Sequence, residues 1–102
     1  MAVSGKTQVL GVFGDPVAHS LSPAMHARFA EATGTDTVYV PFHVSPEHLE
    51  TALFALPSLA IAGVNITVPH KEAAFRLLSQ HTEAARAIGA VNTVIVEGGR
   101  LV

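Results

Sequence analysis

Asn65, Thr67 and Lys71 stand in one short β-branched stretch, Gly63-Val64-Asn65-Ile66-Thr67-Val68-Pro69-His70-Lys71. Asn65 and Thr67 are two residues apart, so on a strand they share a face while Val64, Ile66 and Val68 take the other. An amide and a hydroxyl side by side suit a polyol or a carboxylate. Pro69 cannot donate to a ladder; it is expected to end the strand after Val68 and deliver Lys71 to the first turn of a helix. An ammonium there opposes the positive end of the helix dipole, a placement that suits a lysine moving a proton. Each residue also has a plain structural use, since Thr favours strands, Asn bonds neighbouring loops and helix lysines are mostly solvated. Asn65 is the most informative because Asn is depleted in strands.

Two further places could bind polar ligands. Ser20 and Ser22 flank the entry to a helix at Ser22-Pro23, where two hydroxyls and free N–H groups can converge on an anion. Ser22 is equally suited to cap the helix. Asn92 sits early in a later strand-like run and carries the same signal as Asn65. Six histidines (His19, His26, His43, His48, His70 and His81) show no His-Glu-x-x-His spacing. Surface and cap roles are expected for them, with no metal site. His70, beside Lys71, is a candidate to adjust the local potential, and no general-base role is assigned to it.

These residues need elements to hold them. Gln8 to Gly14 reads as a buried strand closed by Gly14-Asp15-Pro16, with Gly11 and Gly14 suited to a tight strand-to-helix turn. A helix from Ser22 to Gly34 follows, with Met25, Phe29 and Ala32 toward the sheet. Thr37 to Val44 alternates Val38, Val40, Phe42 and Val44 against Tyr39, Pro41 and His43, a half-buried strand whose proline puts it at an edge. Ser45-Pro46 repeats the cap-then-proline device before a helix bearing Leu49, Ala52, Leu53 and Leu56. After the Asn65 strand come helices over Lys71 to Leu78 and Thr82 to Ile88, a strand over Val91 to Val96, and a Gly98-Gly99 hairpin. The order implies one α/β domain over residues 1–102. Its fold would be three-layered, with a mostly parallel open sheet, helices on both faces and a C-terminal β-hairpin.

Composition narrows the function. The chain is 49% hydrophobic and 14% charged, enough apolar material for a core, and its net charge is −2 without a Lys/Arg cluster. A nucleic-acid or membrane partner is therefore not expected; a small molecule is. With no cysteine, disulfides and thiolate chemistry are excluded. No run has signal-peptide or membrane-span character, so a cytoplasmic protein is expected.

Taken in order, Gly14-Asp15-Pro16-Val17-Ala18-His19-Ser20-Leu21-Ser22-Pro23, the Gly63 to Lys71 stretch and Ile88-Gly89-Ala90-Val91-Asn92-Thr93 resemble the substrate-binding half of shikimate dehydrogenase. That family reduces 3-dehydroshikimate to shikimate with NADPH on the route to aromatic amino acids. The resemblance implies that Ser20 and Ser22 hold the substrate carboxylate, with Thr67 nearby. It implies that Asn65 and Asn92 bind ring hydroxyls and that Lys71 is the catalytic lysine, exchanging a proton with the reacting oxygen. Glu83 falls where the family has an acidic residue on the cofactor side. In the family an Asn-Thr-Asp segment follows the hairpin, and its aspartate pairs with the lysine. Here Val102 is the last residue, and no G-x-G-x-x-G occurs in the 102 residues. The cofactor NADP is thus expected to be bound by a domain absent from this chain, which would bind substrate without turning it over.

Three readings stay open beside this one: a quinate/shikimate dehydrogenase, a non-catalytic flavodoxin-like module binding a small anion at the Ser20/Ser22 turn, and a structural domain whose polar residues are caps. A homodimer through an exposed sheet edge is left open as well.

Overall fold

The computed structural model describes residues 3–16, 22–78 and 83–101. Its first strand, β1 (Gln8–Gly14), is interior to the sheet and apolar over most of its length because both of its faces are covered. It runs parallel to β2 (Thr37–His43) and to β3 (Ile61–Ile66). β3 pairs antiparallel with β4 (Thr93–Glu97), and β4 pairs antiparallel with β5 (Arg100–Leu101). The open sheet therefore has the order β2-β1-β3-β4-β5. Gly98 and Gly99, at φ of 56° and 78°, make the expected two-residue turn. The antiparallel share extends beyond that hairpin, since β4 itself reverses against β3.

Among the described residues, four α-helices connect the strands: α1 (Ser22–Thr33), α2 (Leu49–Ala55), α3 (Lys71–Leu77) and α4 (Glu83–Ile88). The connection from β1 steps to one side and the connection from β2 crosses back past β1. Right-handed crossovers in opposite directions place α1 and α2 on opposite faces. On the α2 face, Phe13, Val64, Ile66 and Val94 pack with Leu49, Leu53, Leu56, Ala74 and Leu78. The other face buries Val12, Tyr39 and Ala30.

Several local expectations change. Tyr39, assigned to the solvent side of β2, is buried, because α1 covers the face that simple alternation leaves to water. On α1 the buried alanine is Ala30 and not Ala32; the side chains of Met25 and Phe29 lie outside the described features. Ser45 leads into one 3-10 turn, Pro46–His48, before α2, and its hydroxyl meets His48 Nδ1 at 2.9 Å instead of capping a backbone N–H. β3 stops at Ile66 because the His70 N–H turns back onto the Thr67 carbonyl at 3.0 Å, which folds Val68 and Pro69 into a tight turn and leaves Val68 exposed. β4 starts at Thr93 because Val91 gives its N–H to Lys71.

Gly11 lies inside β1 and makes no turn. A Cβ there would come within 2.6 Å of the Val40 carbonyl oxygen and 2.5 Å of the Phe42 ring. Gly11→Ala should therefore lower stability by about 1–3 kcal/mol through overpacking between β1 and β2. Urea unfolding followed by circular dichroism checks this; an unchanged midpoint would mean the strands separate freely.

Candidate functional site

The carboxyl ends of the parallel strands come out level: Gly14 is opposite His43, and Phe13 is opposite Ile66. Because β4 is antiparallel, its start lies at the same edge, with Thr93 opposite Asn65. The far end of α1 is tied to the strand starts, since Gln8 donates its N–H to Asp36 just beyond that helix at 3.0 Å. A 12-residue helix rises about 18 Å, close to the strand length, so Ser22 at its beginning stands at the carboxyl edge.

Short backbone bonds draw the expected residues together at this edge. The Ile66 N–H donates to the Asn92 carbonyl at 2.7 Å, and the Val91 N–H donates to the Lys71 carbonyl at 3.0 Å. Asn65, Lys71 and Asn92 are thus neighbours along a closed path of main chain. Thr67 sits just beyond β3, its N–H on the Phe13 carbonyl at 3.0 Å. Lys71 is the first residue of α3, and its side chain is exposed, as are those of Asn65 and Asn92. Ser20 lies outside the described residues, and Ser22 opens α1. Glu83 is exposed in the first turn of α4, and no described contact links it to the others.

Tyr39 and Thr93, which the sequence did not single out, help complete the edge. Tyr39 donates its hydroxyl to Asn65 Oδ1 at 2.7 Å, and Asn65 Nδ2 donates to Thr93 Oγ1 at 3.2 Å. Tyr39 was hidden by its place in the outward half of the alternation; Thr93 directly follows Asn92 and could have been found by pairing it with Asn65. His70 is 1% exposed, and its Nε2–H donates to the Val44 carbonyl at 2.5 Å, so it ties α3 to the end of β2. A carbonyl only accepts, which fixes the proton on Nε2. Asp15 accepts from His43 Nε2 at 2.6 Å and gives its own N–H to Val68 at 3.1 Å, which joins all three parallel strand ends.

Among the described residues, the strand ends offer few free N–H groups to an anion. After β1 the Asp15 N–H is already used and Pro16 has none. After β3, Pro69 lacks an N–H and the His70 N–H is spent on Thr67. Among the described residues no three of His, Cys, Asp and Glu gather as a metal site, and no helix is long and apolar enough to cross a membrane. The edge can hold a small polar molecule between amides, hydroxyls and one ammonium.

Residues 12–94 match the family model for the shikimate dehydrogenase substrate binding domain. The chain is 53% identical over 102 residues to the shikimate dehydrogenase (NADP(+)) of Geobacter metallireducens, covering 100% of this chain and 36% of that protein. Shikimate 5-dehydrogenase from Thermus thermophilus, solved with NADP(H) and shikimate, is 44% identical with a TM-score of 0.88 over 93% of this chain and 36% of that one. The Listeria monocytogenes enzyme, solved with shikimate and NAD, has a TM-score of 0.93 at 33% identity over 99% of this chain and 35% of that one. The chain spans about a third of the length of these relatives.

Replacing His70 by Phe keeps the buried volume but strands the Val44 carbonyl, which should cost about 1–3 kcal/mol in urea unfolding. A loss below about 0.5 kcal/mol would show that this bond does not hold α3 in place.

Proposed function

The chain belongs to the shikimate dehydrogenase substrate-binding domain family, and from that membership we propose that it holds the substrate of an NADP-dependent shikimate dehydrogenase. The observation that supports this most is the main-chain path joining Asn65, Lys71 and Asn92 at the sheet edge where α1 begins. Shikimate carries a carboxylate on one side of its ring and hydroxyls on the other. In this reading Ser20 and Ser22 donate to the carboxylate, Thr67 assists, and Asn65 and Asn92 bind ring hydroxyls. Lys71 Nζ holds the proton that passes to or from the oxygen on the carbon undergoing reduction or oxidation. Amide partners make the choice of hydroxyl pattern steep, because an analogue lacking one leaves a site group unpaired. The site belongs to the cytoplasm in this reading, and the reaction is reduction of 3-dehydroshikimate.

NADP is the cofactor of this proposal, and the chain spans about a third of the length of its relatives. Residues outside these 102 would hold it, and the Glu83 role on the cofactor side stays a proposal of the same reading.

A ¹⁵N-labelled sample titrated with shikimate should show shifts centred on Asn65, Lys71 and Asn92. The double variant Ser20→Ala with Ser22→Ala should bind below detection, since charge-assisted bonds are about twice as strong as neutral ones. An unchanged dissociation constant would reduce the serines to helix caps. A second measurement adds NADP⁺ to the 102-residue chain with shikimate. No absorbance from reduced cofactor is expected, and steady turnover would overturn the placing of the cofactor site elsewhere.

A further inference from the structure

We infer that Tyr39 is a positioning residue that, with Thr93, holds the plane of the Asn65 carboxamide toward its ligand. The inference rests on the reading of Asn65 as a substrate contact. A carboxamide presents an acceptor on one side and two donors on the other, and a half-turn about its last bond exchanges them. Here Oδ1 receives the Tyr39 hydroxyl at 2.7 Å while Nδ2 gives one N–H to Thr93 Oγ1 at 3.2 Å. The second N–H of Nδ2 and the second lone pair of Oδ1 remain for a ligand, in the plane that the two hydroxyls hold. Turning the amide plane away would break both bonds together, whereas a half-turn would keep two bonds, since each hydroxyl can donate or accept; what the pair holds is the plane.

The path of the tyrosine supports a role beyond filling space. Tyr39 is on β2 and Asn65 on β3, with β1 between them. Its ring crosses that strand on the face carrying Leu10 and Gly63, both of which are in register with it, a span of about 10 Å. Phenylalanine would serve equally to cover Leu10. The hydroxyl is what reaches Asn65, at the rim of a shallow cavity of about 320 Å³ that Tyr39, Asn65 and Thr93 line together. Tyr39 is 9% exposed, so it acts through Asn65 and does not itself offer a ligand much surface.

The experiment uses the 102-residue chain and reads two quantities in Tyr39→Phe, Thr93→Val and Thr93→Ser. The first is the side-chain NH₂ pair of Asn65 in ¹⁵N spectra, identified by its loss in Asn65→Asp; the second is the dissociation constant for shikimate. Tyr39→Phe and Thr93→Val should shift that pair, speed its exchange with solvent and weaken binding about 3- to 10-fold, with backbone amide spectra otherwise retained. Thr93→Ser, which keeps the hydroxyl, should stay near wild type. An Asn65 pair unmoved by Tyr39→Phe overturns the inference, as does wild-type affinity in a variant whose pair has moved. Should Tyr39→Phe fail to fold, the contrast between Thr93→Val and Thr93→Ser decides by the same two readings. A wild-type chain that binds no shikimate counts against the substrate reading; the Asn65 pair then still tells whether Tyr39 and Thr93 hold the carboxamide.

Discussion

The buried bond from the His70 ring to the Val44 carbonyl fixes where the third helix starts, and much of the edge follows from that. A carbonyl left without a partner in the interior is costly, so the ring has one position in which both groups are satisfied. His70 immediately precedes Lys71, and the Lys71 carbonyl in turn receives the Val91 N–H. One histidine thereby links the end of β2, the head of α3 and the approach to β4. Its neighbour Lys71 is held at the main chain while the lysine side chain stays exposed.

The reversal of β4 matters as much. A fourth strand running parallel to β3 would have started at the opposite edge, and Asn92 and Thr93 would stand a strand length away from Asn65. Running antiparallel, β4 begins where β3 ends, and Thr93 faces Asn65 directly. Parallel strands alone collect residues only from their carboxyl ends; the mixed sheet adds the residues just before a strand. Close approach between these two strands also explains Gly63, whose Cβ would fall 2.9 Å from the Val94 carbonyl oxygen.

Much of this was legible in the chain. The apolar run of β1, the glycine pair of the last turn and the proline that hands Lys71 to a helix are local signals, and each acts where its residues stand. The failures share a cause. Tyr39 was set facing water because period-two alternation assumes one covered face, whereas a sheet with helices on both sides buries residues of either parity. Gly11 looked like turn chemistry, but its reason is the Phe42 ring on the adjacent strand. The role of His70 depends on Val44, 26 residues earlier, and no spacing rule joins them. Asn65, by contrast, stood out because an amide in a strand asks for a partner, and it has two.

Those two partners lie far from Asn65 in sequence: Tyr39 is 26 residues before it and Thr93 is 28 after. No local fragment can assemble this trio, so it exists only when three separate strands have closed their loops. Each such contact closes a long loop, and the assembled sheet has to offset the entropy of closing it. A ligand bound there would consequently act on the equilibrium of the entire domain, adding about 2.7 kcal/mol at a hundred times its dissociation constant. Occupancy of the edge and protection of the chain from unfolding, and so from proteases that cut opened states, are two views of one equilibrium.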